Sequence, residues 1–179
     1  MVLRRFLRCA ASAALVFTMC GVAAAQLGGN QRFALNVASN MSITPPAPAV
    51  GITHDETDGD QTFPPQLWQV RANAPRGATV SFSTNQPFTH TVDSTLQRDA
   101  RLNLAIASSS GAAHWTLPVA VDQTNVSGSP SDGVAIVQAV SDKPGQATFE
   151  LTVTFVTTQW DTLAAGSYEL SVTGTITAN

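Results

Sequence analysis

The chain has 179 residues, with nine basic and twelve acidic side chains and a formal net charge of −3 at neutral pH. This length suits one ordinary domain whose core is large enough to hold without a disulfide. The excess of acids makes a phosphate backbone or an anionic lipid headgroup an unfavourable partner, which argues against nucleic-acid binding.

The first 25 residues have the pattern of a secretory signal peptide. Three arginines precede an apolar stretch that ends in three alanines before Gln26, which fits an A-x-A cleavage site. Removing 25 of the 179 residues leaves 154, with six basic against twelve acidic side chains and a net charge of −6. Both cysteines, Cys9 and Cys20, leave with the signal. The alternatives are lipidation at Cys20 and retention of the segment as a membrane anchor.

We therefore expect a secreted, periplasmic or cell-surface protein whose single domain covers residues 26–179. Thiol chemistry is excluded from that domain, since it contains no cysteine. No later apolar run approaches the roughly 20 residues of a transmembrane helix, so no membrane span is expected in the mature chain.

Alternation of apolar and polar residues recurs after the signal and is typical of antiparallel strands with one face on a core. The predicted strands lie at residues 33–37, 67–71, 80–82, 102–106, 115–121, 134–138, 149–155 and 168–176. In the run 134–138 the alternation puts Val134 and Ile136 on the core face. Clusters of Gly, Pro and Ser separate them, and the proline-rich stretch 44–48 reads as a crossover at a sheet edge. The pattern predicts an all-β fold, a single Ig-like antiparallel β-sandwich, with a β-barrel as the alternative.

Residues 54–60 carry a dense group of acids, with Asp55, Asp58 and Asp60 around Gly59. Calcium prefers several oxygen ligands, and closely spaced acids on a turn can supply them. The spacing does not match an EF-hand loop, and no glutamate closes it at the required distance. The pattern therefore predicts a solvated loop, with calcium bound by these three aspartates as the alternative. No other cofactor is expected.

Residues that catalysis would need are poorly represented. No Gly-x-Ser-x-Gly motif is present, and many serines lie in turn clusters. His54, His90 and His114 are widely spaced, unlike the tight pairs of zinc sites, and are expected at the surface or at strand ends. No pair of carboxylates stands out for glycoside hydrolysis. The sequence therefore predicts a protein that is not an enzyme.

The three tryptophans, together with Phe63, Phe88 and Tyr168, are candidates for a sugar-stacking surface, because an indole offers a broad face and an N–H donor. Trp68 and Trp115 lie in predicted strands and are expected in the core. Trp160 precedes Asp161 at a strand end and is the candidate ligand-binding residue. A carbohydrate- or ligand-binding adhesion module, with a glycan as its partner, is therefore the alternative function.

The closing stretch, residues 159–179, has an L-x-A-G-x-Y turn from Leu163 to Tyr168 that leads into an alternating Thr/Val strand. It resembles the last strand of secreted bacterial spore-coat-U-like and fimbrial-subunit-like β-sandwich proteins. The resemblance implies an Ig-like fold, a role as a coat, filament or adhesin subunit, and self-association or contact with neighbouring surface subunits. The absence of a disulfide from the mature chain departs from typical pilins.

A pilin relation would make residues 33–37 a donor strand for a neighbouring subunit, by strand addition. The residues alone favour an ordinary first strand paired within its own domain. On all of these grounds the function predicted first is a non-catalytic exported structural or surface protein.

Overall fold

The computed structural model describes residues 31–179. The predicted signal peptide, its two cysteines and residues 26–30 lie outside these residues. Residues 31–36 belong to one unit and Val37–Asn179 form a second, compact unit. The fold below is that of the second unit.

The regular structure of residues 31–179 consists of β-strands and one short 3-10 turn, η1, and includes no α-helix. The strands are β1 Met41–Thr44, β2 Gln61–Thr62, β3 Gln66–Ala72, β4 Ala78–Thr84, β5 Phe88–His90, β6 Gln97–Arg98, β7 Ala100–Gly111, β8 Trp115–Val119, β9 Val121–Gln123, β10 Ile136–Ser141, β11 Gly145–Phe155, β12 Tyr168–Glu169 and β13 Val172–Ala178; η1 covers Trp160–Thr162.

Every strand pair is antiparallel, and the pairs form three sheets. The largest has the order β1-β3-β11-β7-β9, with β2 also paired to β11; the second has the order β13-β4-β10-β8; and a small third sheet has the order β12-β5-β6. None of these sheets is closed on itself. The all-β class and the β-sandwich are thereby confirmed.

The main core lies between the two larger sheets. Phe149 and Leu151 of β11 and Leu102 of β7 face Val80 and Phe82 of β4, and all five are buried. The ring of Phe149 meets that of Phe82 edge to face, with centroids 6.2 Å apart. Strict alternation puts these apolar side chains on one face of each strand, so the sheets bury that face against each other.

A second, smaller core lies under the third sheet. Its buried residues are Phe88, Ala100 and Phe155, and Phe63 and Tyr168 pack against them. This core joins the long strand β11 to the segment that follows η1. It forms the floor of the cleft described below.

The two flanks of the sandwich differ. On the closed flank the chain passes from edge strand β8 to edge strand β9 through Ala120, whose carbonyl accepts the backbone N–H of Leu104. On the open flank β1 and β13 lie side by side without pairing. A side chain at Gly174 of β13 would meet those of Ile43 and Trp68, so the backbone of β13 approaches the larger sheet closely there.

Most predicted strands are confirmed, but two predicted runs are each split. The run at 115–121 forms β8 and β9 on different sheets, and the run at 168–176 forms β12 and β13. Residues 45–60 form no strand and are exposed except for the partly buried His54, which agrees with a crossover at the sandwich edge.

For residues 134–138, the prediction of which side chains face the core is wrong. Val134 and Ile136 were expected on the core and are exposed, whereas Ala135 and Val137 are fully buried. Ala135 and Val137, with Ala139 just after them, are the residues that belong to the main core. The prediction was one residue out of register, which exchanges the two faces of a strand.

The predicted first strand at residues 33–37 is also wrong. Residues 31–40 contain no strand, and Phe33, Leu35 and Val37 are 84%, 91% and 74% exposed. Just after this stretch, the side chain of Asn73 makes the hydrogen bonds to residues 38–40 that a neighbouring strand would otherwise make. Its Nδ2 donates to the Ala38 carbonyl at 2.8 Å and its Oδ1 accepts from the Asn40 N–H at 2.6 Å. Residues 38–40 are thus held by a single amide at the start of β1.

Candidate functional site

A cleft of about 570 Å³ lies over the second core. Residues 50–56 form one wall and residues 163–169 form the other, while the floor consists of aromatic side chains from β5, β11 and the segment between β2 and β3. We call it the aromatic cleft. Its walls come from segments more than 100 positions apart, which only the folded sandwich brings together.

His54 is fixed in this wall by a chain of hydrogen bonds. Its Nδ1 accepts the backbone N–H of Glu56 at 3.0 Å, so the ring proton is on Nε2. The Nε2–H lies 3.0 Å from Thr157 Oγ1, and that buried hydroxyl donates to the Gly59 carbonyl at 2.8 Å. These contacts fix the orientation of the imidazole and assign its tautomer.

The rings of the cleft form a continuous series of contacts. His54 stacks on Trp160, with centroids 5.1 Å apart and an interplanar angle of 23°, and meets Phe155 edge to face at 6.1 Å. Phe155 in turn meets Tyr168 at 5.5 Å and Phe88 at 5.1 Å, both edge to face. Such geometries are the favourable ones for aromatic pairs, so the floor is a rigid surface of ring edges and faces.

Trp160 lies at the mouth of this cleft and is 36% exposed. The ring of His54 covers part of one face. The other two tryptophans behave as predicted for core residues: Trp115 is buried and Trp68 is partly buried against the main core. Sugar binding by Trp160 stays a prediction.

The three aspartates suggested for calcium each have protein donors instead of a shared centre. Asp55 Oδ1 accepts from Thr57 and Gln61, Asp58 Oδ1 accepts the backbone N–H of Trp160 at 2.8 Å, and Asp60 accepts the N–H of Thr157 at 3.2 Å. Asp60 also pairs with Arg101 at 3.2 Å. Within residues 31–179, no group of three or more His, Cys, Asp or Glu side chains could hold a metal ion. Calcium binding stays a prediction.

Hydrogen bonds set the pKa of Asp55. The Thr57 hydroxyl is the main cause that lowers the pKa of this carboxyl, with smaller contributions from the Thr57 N–H, the Gln61 amide and His54, against a partial opposing effect of desolvation. The acidic loop is therefore organised as a charged, hydrogen-bonded turn that ties residues 55–60 to the segment around Thr157.

The other two histidines serve the fold. His90 ends β5 as predicted but is buried; its Nδ1 accepts from the N–H groups of Val92 and Asp93 at 3.2 Å, and its Nε2 lies 3.2 Å from the Ala165 carbonyl. The backbone N–H of His114 donates to Asp142 at 2.8 Å, which lowers the pKa of that carboxyl.

A second cavity of about 520 Å³ runs along the open flank, with Trp68 and Val153 on one side, Leu170 and Val172 on the other, and residues 46–50 along it. We call it the flank groove. The Tyr168 hydroxyl and the Trp68 indole N–H are buried, and neither has a hydrogen-bond partner within residues 31–179. Tyr168 lines both the flank groove and the aromatic cleft.

The sequence grouped Trp160 with Phe63, Phe88 and Tyr168 as a possible aromatic surface, and all four line the cleft. It missed His54 and Phe155, because these residues belong to no local motif and meet the others only after the sheets have packed. Within the described part of the chain, no helix has the length and hydrophobicity of a transmembrane segment. No protein-family model matches the chain, and a search of curated proteins gives no significant match.

Proposed function

We propose that this protein is a non-catalytic exported structural subunit that assembles with copies of itself through residues 31–37, here called the arm. The observation that carries the proposal is the exposed alternation of Phe33, Leu35 and Val37. In an extended chain these side chains share one face and form an apolar stripe about 13 Å long. Exposed apolar stripes of this kind mark interaction surfaces.

The open flank supplies edges that an arm from another copy fits. The outer edges of β1 and β13 carry unpaired backbone groups, and the flank groove beside them has apolar walls. Strand addition at such an edge gives main-chain hydrogen bonds, while pockets accept alternate side chains. The Asn73 amide holds residues 38–40 in place. This contact opposes a tight hairpin in which the arm would fold back onto β1 of its own chain.

The three apolar side chains of the arm are expected to supply most of the free energy of assembly. Burial of a Phe, Leu or Val side chain stabilises association by roughly 1.5–3 kcal/mol each, and the loss of freedom on association offsets part of that sum. Removal of two of the three side chains therefore weakens assembly by about 100-fold or more.

Two sequence features support the same proposal. The expected signal peptide would deliver the domain out of the cytoplasm, and the resemblance of residues 159–179 to coat and fimbrial subunits points to the same class of protein. The Ig-like type of the sandwich is part of this proposal.

The test is the assembly state of the full chain, expressed with its own signal and purified from the exported fraction. Light scattering and electron microscopy of the wild type are expected to show concentration-dependent oligomers or filaments. The double variant Phe33→Asn/Leu35→Asn should be monomeric with an unchanged melting temperature. The control is Ala34→Ser/Asn36→Ser, on the alternate face of the arm, which should assemble. A wild type that is monomeric at all concentrations would contradict the proposal.

A further inference from the structure

The ionisable side chains of the aromatic cleft define its ligand preference. Glu56 and Glu169 line it, and no Lys or Arg is among the described residues of its lining. Both ring nitrogens of His54 already have hydrogen-bond partners, Glu56 and Thr157. An anion would meet two carboxylates without a compensating Lys or Arg. The charge of the cleft is therefore complementary to a cation.

The aromatic floor of the cleft also attracts positive charge. The faces of aromatic rings carry a negative quadrupole potential, and ammonium groups bind over them within about 6 Å of a ring centroid. Trp160, Phe63 and Tyr168 line the cleft together with the carboxylates. An apolar floor suits a methylated ammonium group, which has apolar methyl groups around a diffuse positive charge.

A neutral glycan fits this lining less well. Sugar recognition needs an open aromatic face and several hydrogen-bonding side chains around it. The ring of His54 stacks on Trp160, and the Gln61 amide already donates to Asp55 Oδ1 at 2.7 Å and to the Gly59 carbonyl at 2.8 Å.

We propose that the aromatic cleft binds a small organic cation, a quaternary ammonium group of the choline class, with its charge facing Glu56 and Glu169 and its methyl groups on the aromatic floor. Glu56 has a left-handed backbone, with φ of 59°, which is uncommon for a residue with a side chain. Its N–H bond to His54 Nδ1 holds this conformation next to the floor. This proposal is independent of assembly through the arm.

The test is titration of the exported protein with choline and with tetramethylammonium, followed by calorimetry and by tryptophan fluorescence. Trp160 is the reporter, because it is the most exposed of the three tryptophans. We expect saturable binding in the millimolar range or tighter. The neutral isostere 3,3-dimethylbutan-1-ol should bind at least 10-fold more weakly.

Variants distinguish binding in the aromatic cleft from a general effect of the protein's net charge. Glu56→Gln/Glu169→Gln should weaken choline binding at least 10-fold, whereas Glu150→Gln on β11, outside the cleft, should leave it unchanged. Unaltered melting temperatures show that each variant is folded, and the monomeric arm variant should bind choline like the wild type. The proposal is overturned by an absence of saturable choline binding, by equal binding of the isostere, by an equal loss in Glu150→Gln, or by binding of neutral oligosaccharides alone.

Discussion

Replacement of Thr157 by valine tests the hydrogen-bond chain that orients the cleft wall. Valine keeps the β-branched shape and removes only the hydroxyl. That hydroxyl is fully buried; it donates to the Gly59 carbonyl at 2.8 Å and lies 3.0 Å from His54 Nε2. The substitution therefore leaves one acceptor and one donor without their partner.

The expected cost follows from these two bonds. A hydrogen bond contributes about 1 kcal/mol net, and a buried polar group left without a partner costs about 1–3 kcal/mol. His54 is partly buried and Gly59 is exposed, so water can reach the groups left without a partner and the penalty falls in the lower part of that range. We expect Thr157→Val to reduce the free energy of unfolding by about 2–3 kcal/mol, which lowers the melting temperature by roughly 5–10 °C.

The measurement is urea unfolding at neutral pH, followed by circular dichroism and by tryptophan fluorescence. Thr173→Val on the exposed face of β13 is the matched control and should change the free energy of unfolding by less than about 0.5 kcal/mol. Equal effects of the two substitutions would refute the role of Thr157. Loss of the His54 contact should also change the emission of Trp160, which stacks on that ring.

Three further predictions concern the core, a turn and the acidic loop. Phe149→Ala should cost about 3–5 kcal/mol in urea unfolding, because the ring is fully buried between the sheets; a cost below 1 kcal/mol would contradict that packing. Gly77→Ala should destabilise strongly in the same assay, since Gly77 has φ of 79° and a Cβ would overlap the Ser141 carbonyl oxygen; a neutral result would refute this geometry. The pKa of Asp55 is lowered mainly by the Thr57 hydroxyl, so its stabilising effect is complete above the ordinary value near 3.9 and is lost as pH falls through the lower folded value. Thr57→Val should raise the pKa of Asp55 in a carboxyl NMR titration, and an unchanged midpoint would exclude the hydroxyl as its cause.

The sequence predicted strands best where large apolar residues alternate without interruption. In β11 the run Phe149, Leu151, Val153 packs as its period of two indicates. In β10 the same reasoning chose the wrong face. It placed Val134 and Ile136 on the core, whereas Ala135, Val137 and Ala139 are the buried residues.

The arm shows a different limit of sequence reasoning. Alternation at residues 33–37 predicted a strand paired within its own domain, but alternation alone does not say which chain supplies the partner of an apolar face, and these residues form no strand here. The aromatic cleft was predicted only in part. The sequence suggested an aromatic surface of Trp160, Phe63, Phe88 and Tyr168, but the walls come from separate segments and could not be predicted. Trp160 was singled out because it was expected at a strand end before an acid.

The difference between the two flanks has a consequence for the order of folding. Ala120 alone separates β8 from β9, whereas the open flank joins residues 41–44 to 172–178, near opposite ends of the described chain. Loop-closure entropy therefore favours early contacts at the closed flank and late contacts between β1 and β13. We expect Leu117→Ala to slow refolding and Ile43→Val mainly to speed unfolding in stopped-flow experiments; the reverse pattern would exclude this order. Until the late contacts form, the Ile43 and Trp68 side chains that pack against β13 lack that cover, so the open flank is the last part of the core to close.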